Sequence, residues 1–189
     1  MKINSYFQKE VLFKKYLYII ALIMGSILDG QTINIAGSNW TVSVPTITEA
    51  GTNYTGTYDN PSQLTLSGNL PGSFLNLLSS SGARISMHYV PTTWNSNLHL
   101  YAKRSGGSTT INGLCVLCTA TINGGNAAFI EIPQASAATL STITFTGVLG
   151  LGNSVNYSGI NVQLEIGGVS VTIPATTYSA QIVFTIGAN

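Results

Sequence analysis

Two cysteines stand three residues apart in GLCVLCTA, and this spacing is the first feature of the sequence that suggests chemistry. Cys115 and Cys118 would suit redox chemistry if they opened a helix after a strand, because a helix N-terminus lowers the pKa of a thiol. The flanking residues are typical of strands instead. We interpret the pair as a small-loop disulfide or as two buried thiols. Because side chains at i and i+3 of a strand face opposite sides, a disulfide here requires a turn or a bulge.

A zinc site would need further ligands beside the two cysteines. Zinc takes about four ligands, and the sequence adds only His88 and His99, neither at ligand spacing. Each histidine alternates with apolar neighbours, as a residue on the surface of a strand does. The sequence therefore predicts no metal site and no cofactor.

The remaining residue types that support hydrolysis are scattered. Glycoside hydrolysis needs a pair of carboxylates, and no acid motif surrounds any acidic residue after position 30. These residues are Glu49, Asp59, Glu131 and Glu165. No serine lies in a G-x-S-x-G turn. We therefore predict that the protein is not an enzyme, since a secreted hydrolase would need an acid pair or a triad that the sequence does not display.

Aromatic residues could form a platform for sugar rings. The first ones to consider are Tyr54, Tyr58, Tyr89, Trp94 and Tyr101. The alternative is that these rings fill the core of a β-sandwich and cover its strand edges. A glycan-binding surface is therefore one hypothesis for these residues, and structural packing is the other.

The first thirty residues differ in character from the rest of the chain. Four of the seven basic residues lie within the first fifteen positions, and the apolar run YLYIIALIMGSIL follows them. This order is typical of a secretory signal peptide, and the run is shorter than the roughly 20 residues that span a bilayer. We predict that residues 1–30 are a signal peptide, cleaved between about Gly25 and Gln31, and that the protein is secreted to the cell surface through the periplasm.

Residues 31–189 carry few charges. They contain three basic residues, Arg84, Lys103 and Arg104, and four acidic residues, so seven of these 159 residues are charged. In a typical domain about 25% of the residues are charged. Binding to nucleic acid needs clustered basic residues, so nucleic acid is a poor candidate partner for residues 31–189, which have three. The shortage of charge fits a subunit packed against copies of itself, or a secreted domain with a surface rich in hydroxyl groups.

Short alternating runs of Val, Ile, Thr and Tyr, separated by Gly, Asn and Pro, predict strands. We expect them near residues 33–35, 40–47, 63–66, 83–90, 98–103, 114–122, 127–132, 141–145, 161–166, 169–173 and 178–186. The segment 71–80 is expected to form one or two helical turns. The regular spacing predicts one all-β domain over residues 31–189, an antiparallel, immunoglobulin-like sandwich with Greek-key connections. Glycines in INGGNAAF and LEIGGVSV predict two tight hairpins.

Apolar and polar residues alternate at both ends of this domain. At the C-terminus, Tyr178, Ala180, Ile182, Phe184 and Ile186 share one face of a strand. At the other end, within the segment 31–44, Ile33 and Ile35 alternate with polar residues, and Trp40, Val42 and Val44 do so after a break at Gly37. Such a segment is either the first strand of its own sandwich or a strand donated to a neighbouring copy.

The ending GVSVTIPATTYSAQIVFTIGAN resembles the C-terminal strand of pilin-like sandwiches, namely chaperone-usher pilins and the spore coat protein U-like domains of archaic pili. The stretch NWTVSVPTITEAGTNYTG is similar to the opening strands of such proteins. The resemblance implies capping by a periplasmic chaperone, passage through an outer-membrane usher, and polymerisation by donor-strand exchange. The acceptor strand would include Tyr178, Ile182, Phe184 and Ile186. The donor would include Ile33 and Ile35, extending to Trp40 and Val42.

The leading hypothesis is a secreted, non-enzymatic subunit of a pilus-like fibre, which binds copies of itself by strand complementation. Its support is the leader, the scarcity of charge and the alternating strands at both ends. The alternative is a cell-surface adhesin or carbohydrate-binding module that uses Tyr89, Trp94 and Tyr101.

Overall fold

Nine β-strands make up the computed structural model, which describes residues 30–43, 60–72, 75, 82–115, 117–147 and 153–189. Alternation of apolar with polar residues explains why these segments are strands, because one face of each lies on a core and the other is solvated. The strands are β1 (Thr32–Gly37), β2 (Asn60–Pro71), β3 (Gly82–Thr93), β4 (His99–Asn112), β5 (Thr119–Asn123), β6 (Ile130–Ile132), β7 (Ala138–Thr146), β8 (Ser154–Gly167) and β9 (Ser179–Ala188).

The strands form two antiparallel sheets. The first sheet has the order β1-β2-β8-β4-β6, and the second has the order β5-β7-β3-β9. Buried side chains from both sheets join in one apolar cluster. The predicted all-β, antiparallel sandwich is confirmed.

Consecutive strands from β2 onward alternate between the two sheets. The predicted hairpin at Asn123–Gly125 is therefore wrong, because β5 and β6 lie in different sheets and the connection crosses between them. The predicted hairpin at Gly167 and Gly168 is also wrong. Residues 168–178 are a loop that leads from β8 in one sheet to β9 in the other. Glycine signals a turn, but it does not say which sheet the chain enters next.

Several predicted strands have other boundaries. Residues 40–43 are not in a strand, and residues 169–173 form part of the loop before β9. The predicted strand 114–122 is reduced to β5, because residues 113–115, 117 and 118 are not in a strand, and the strand 127–132 is reduced to β6. In contrast, β4 and β8 each extend to fourteen residues and pair along their length at the centre of the first sheet. Pairing with a long partner extends a strand beyond its apolar residues.

The core lies between the two sheets, and a bulge in β8 helps to fill it. Leu66 and Gly68 of β2 pair with Ile160 and Tyr157 of β8, so β8 has one residue more than its partner over this interval. Gly159 supplies a positive φ of 66° there. The bulge turns both Tyr157 and Ile160 into the core, where their exposed fractions are 1% and 0%.

Some sequence predictions fall outside the described residues. The predicted signal peptide lies there apart from Gly30, and so does most of the predicted helical segment 71–80. Of the candidate functional residues, Glu49, Asp59, Tyr54 and Tyr58 also lie outside them, as does Val44 of the predicted donor strand.

Candidate functional site

Strand β9 contains three of the four residues predicted to receive a neighbouring strand. Phe184 belongs to the buried core, and Ile182 and Ile186 are half-buried against it. On the other face of the strand Gln181 and Thr185 are exposed and Val183 is half-buried. The predicted alternation is therefore present in the structure. Tyr178 lies just before the strand, and its hydroxyl donates a hydrogen bond to the Pro174 carbonyl over 2.8 Å.

One edge of β9 has no strand beside it in the described part of the chain. On its inner side β9 pairs with β3 from Ala83 opposite Ala188 to Thr93 opposite Ser179. The described strands leave the other side of this ten-residue strand at the end of the sheet. A row of backbone N–H and C=O groups on an edge strand is a template for pairing with another chain.

Strand β1 holds the predicted donor residues Ile33 and Ile35, and it lies at the edge of the first sheet. It pairs with β2 of its own chain, from Thr32 opposite Asn69 to Gly37 opposite Leu64. Five of its six residues are exposed. Ile33 packs on the core, but Ile35 is 50% exposed. Burial of apolar area therefore contributes little to the binding of β1.

The other two predicted donor residues, Trp40 and Val42, follow β1 outside any strand. Both are half-buried, and Trp40 packs against the core. They therefore do not continue the alternation of β1 as part of one extended strand.

A buried tyrosine reaches β1 through a gap in β2. Tyr157 of β8 points into the core, and its hydroxyl donates a hydrogen bond to the Thr32 carbonyl of β1 over 2.7 Å. The ring passes over Gly68, where an added Cβ would overlap both the Thr32 carbonyl oxygen and the Tyr157 hydroxyl. Burial raises the pKa of the Tyr157 phenol. Tyr157 therefore stays protonated, as a donor must.

Polar contacts also fix both ends of β1. The Asn69 amide N–H donates to the Thr32 hydroxyl over 3.0 Å. Just beyond Gly37, the buried Gln63 side chain donates to the carbonyl and to the hydroxyl of Ser38. We call this set of groups on β2 and β8, which binds residues 32–38, the β1 seat. β1 also contacts β9 of the opposite sheet, so the β1 seat and the edge of β9 are on the same side of the sandwich.

The two cysteines lie in the loop between β4 and β5. Cys115 and Cys118 are joined by a disulfide, with their Cα atoms 5.7 Å apart. The required turn is present, because Leu117 has a left-handed backbone with φ of 58°. Leu117, within the loop that the disulfide closes, and Leu114, just before it, are each 93% exposed.

Removing the disulfide is expected to lower the free energy of unfolding by about 2 kcal/mol or less, because it closes a loop of only a few residues. The measurement is urea denaturation of Cys115→Ser/Cys118→Ser, compared with the oxidised unmodified protein. The unmodified protein in a reducing buffer should unfold at the same urea concentration as the variant. A variant with a loss well above this value would show that the loop also organises the sandwich.

The aromatic residues proposed for glycan binding do not lie together. Tyr89 and Trp94 pack against each other and on the core, with ring centroids 5.5 Å apart, and the Trp94 indole N–H donates to the Leu98 carbonyl over 3.0 Å. Tyr101 is on the outer face of the first sheet, because its β4 neighbours Leu100 and Ala102 are buried. The structural interpretation therefore fits the first two rings, and Tyr101 remains as a surface candidate.

A polar patch surrounds Tyr101. Glu131 of β6 and Glu165 of β8 are directly opposite Tyr101 on its two sides, so all three side chains share the outer face. His99 and Lys103 flank Tyr101 along β4 on the same face, and His99 Nδ1 lies 2.8 Å from Glu131 Oε1. We call these five residues the Tyr101 patch. It brings together side chains that are far apart in the sequence.

Sequence reasoning missed Arg104, which is only 6% exposed. Its side chain donates to the Gly124 carbonyl over 2.7 Å and to the Gly106 carbonyl, and its backbone N–H donates to the Gly125 carbonyl. Burial lowers the pKa of the guanidinium. Gly124 and Gly125 belong to the connection that crosses from β5 to β6, so Arg104 ties this crossing to β4. The sequence does contain a signal for the burial of Arg104, because Leu100, Ala102 and Arg104 are at alternate positions and so share one face of β4.

Within residues 30–43, 60–72, 75, 82–115, 117–147 and 153–189, no group of three or more metal-ligating side chains comes together. In the same ranges, no helix is long and apolar enough to cross a lipid bilayer.

Comparison of the chain with protein-family models, curated proteins and solved structures finds no match.

Proposed function

We propose that this protein is a secreted structural subunit that forms a fibre with copies of itself by strand complementation. The observation that carries this proposal is the pair of edges on one side of the sandwich. Strand β9 has an unpaired edge among the described residues, and the neighbouring β1 is bound mainly through its backbone. A strand with so little buried apolar area can leave its own sheet at a lower free-energy cost than a core strand.

Head-to-tail exchange would turn this weak attachment into a polymer. A copy that donates β1 to one neighbour and receives a strand from another makes two different contacts. Such contacts do not close on themselves, so they generate a filament. The low charge of residues 31–189 supports the proposal, because few charged groups would be buried between subunits.

A reversible lock on β1 tests the proposal. Asn34 and Ser67 are directly opposite on β1 and β2, so Asn34→Cys/Ser67→Cys should form a disulfide that holds β1 in its own sheet. The variant is made in a Cys115→Ser/Cys118→Ser background. When oxidised it should stay monomeric in light scattering and electron microscopy at concentrations where the background protein forms filaments. Reduction should restore assembly.

The matched control places a lock on the opposite edge. Thr121 and Thr144 face each other on β5 and β7, with hydroxyl oxygens 2.6 Å apart. Oxidised Thr121→Cys/Thr144→Cys should assemble like the background protein. Equal assembly of both oxidised variants would exclude exchange of β1. A background protein that stays monomeric at high concentration, with residues 31–43 resistant to protease, would contradict the whole proposal.

The Tyr101 patch favours a second candidate function, a carbohydrate-binding module at the cell surface. A half-buried aromatic ring on the outer face, between two carboxylates, offers a stacking face and acceptors for sugar hydroxyl groups. Tyr101→Ala should abolish binding to a glycan array with an unchanged fold, whereas Arg84→Ala on the other sheet should retain it. Trp94→Ala is a poorer probe, because Trp94 packs on the core. If neither variant changes the array profile, this candidate is excluded.

A further inference from the structure

We infer that the partner surface for a donated β1 is the β1 seat of a second copy, and that Tyr157 is the positioning residue that recognises it. This inference rests on the proposed function, and it adds the place and the register of the contact. In this arrangement the donated β1 forms backbone hydrogen bonds with β2 of the second copy, and the inward-facing apolar side chains of β9 lie next to it. Pairing on the open edge of β9 is the competing arrangement.

The first argument is that the β1 seat is unfavourable when it is empty. Tyr157 is 1% exposed, and its hydroxyl has the Thr32 carbonyl as its acceptor. Departure of β1 removes this acceptor and uncovers the edge of β2. A buried donor without a partner is unfavourable, and so is an open edge. The vacated seat is therefore stabilised by an incoming strand that brings a carbonyl to the same point.

The second argument is that the seat selects its occupant. At one end, the Asn69 N–H needs an acceptor such as the Thr32 hydroxyl. At the other end, Gly37 has φ of 141°, and a Cβ there would overlap the Gln63 carbonyl oxygen. Between them, Ile33 packs on the core beside Gly68. The segment TINIAG has a hydroxyl, an apolar residue and a glycine at these positions. A second copy of this chain supplies it.

The third argument concerns free energy. All the contacts of the β1 seat are made by residues 32–38, so a strand from another copy makes the same contacts as the strand of the same chain. Exchange therefore conserves the interactions within the seat, and its balance depends on the connection after residue 38 and on protein concentration. The open edge of β9 offers backbone pairing, but no described side chain there fixes a register.

Intermolecular cross-linking tests where the donated strand lies. All variants carry Cys115→Ser/Cys118→Ser. Asn34→Cys protein is assembled with an equal amount of Ser67→Cys protein, and in a parallel sample with Thr185→Cys protein, whose new thiol is on β9. After oxidation, the first mixture should give at least about ten times more disulfide-linked heterodimer, because residues 34 and 67 are opposite each other in the seat. A higher yield in the second mixture would overturn the inference and leave strand complementation intact.

Tyr157→Phe tests the role of the hydroxyl, and it does so in the monomer. The substitution keeps the ring in the core and removes one hydrogen bond, so backbone amides of residues 32–37 should exchange with deuterium about tenfold faster. Tyr101→Phe, on the outer face, should leave their exchange unchanged. Equal exchange in Tyr157→Phe and the unmodified protein would overturn the role of Tyr157 even if filaments form. If no filament forms from any sample, the proposed function fails, and with it the exchange of β1, whereas faster exchange in Tyr157→Phe would still establish Tyr157 as the contact that holds β1.

Discussion

Gly68→Ala is expected to lower the free energy of unfolding by about 2–5 kcal/mol, because it combines overpacking with the loss of a buried hydrogen bond. The added Cβ would overlap the Thr32 carbonyl oxygen and the Tyr157 hydroxyl. Neither group can move away easily, since one belongs to the backbone of β1 and the other to a tyrosine in the core. Urea denaturation measures the loss, and deuterium exchange should show that the β1 amides lose protection first.

The matched control is a glycine in another strand. Gly187 of β9 has no heavy atom within 4 Å of an added Cβ, so Gly187→Ala should change the free energy of unfolding by about 0.5 kcal/mol or less. If Gly68→Ala is as stable as Gly187→Ala and keeps the protection of β1, then Tyr157 does not hold β1 through the gap at Gly68. The comparison separates close packing at Gly68 from the general effect of replacing glycine in a strand.

Arg104→Met is expected to lower the free energy of unfolding by about 2–4 kcal/mol, as each lost hydrogen bond from a charged donor costs about 1.5–3 kcal/mol and the relief from burying the charge offsets part of it. Methionine fills a similar volume but leaves the carbonyls of Gly124 and Gly106 without their donor. The connection between β5 and β6 should loosen. The readouts are the urea midpoint and the amide exchange of residues 123–130.

Arg84→Met is the control for this second prediction. Arg84 is exposed on β3, so its replacement should change the free energy of unfolding by about 0.5 kcal/mol or less. Arg104→Lys should recover part of the stability, because an ammonium group can reach one carbonyl but cannot reproduce the geometry of the guanidinium. Equal stability of Arg104→Met and Arg84→Met would mean that the buried guanidinium does not stabilise the connection between β5 and β6.

The two predictions concern different kinds of attachment. Arg104 holds a connection that the sandwich needs, because it joins the two sheets. Tyr157 holds a strand that lies at an edge and buries little apolar area. Loss of the Arg104 contacts should therefore reduce the stability of the whole domain, and so should the overpacking in Gly68→Ala. Loss of the Tyr157 hydrogen bond alone should act mainly on β1. This difference is what allows β1 to be released while the rest of the sandwich stays folded.

The sequence by itself determined the fold class and the face of the C-terminal strand. Alternation has a period of two residues, so it can be read locally, and Ile182, Phe184 and Ile186 have the orientation that it predicts. It also indicated that a disulfide between Cys115 and Cys118 needs a turn, which the left-handed backbone of Leu117 provides. Each of these properties depends on residues a few positions apart.

Only the tertiary structure decided which strands are neighbours. Glycines at Gly124 and Gly167 predicted hairpins, but the strands on either side of each enter different sheets. The contact of Tyr157 with Thr32 joins residues 125 positions apart, and a bulge in β8 is needed to form it. Pairing between distant strands depends on the packing of the whole core, and local alternation does not encode it. For this reason the sequence predicted that β1 is a strand, and the structure placed it on β2 beneath the hydroxyl of Tyr157.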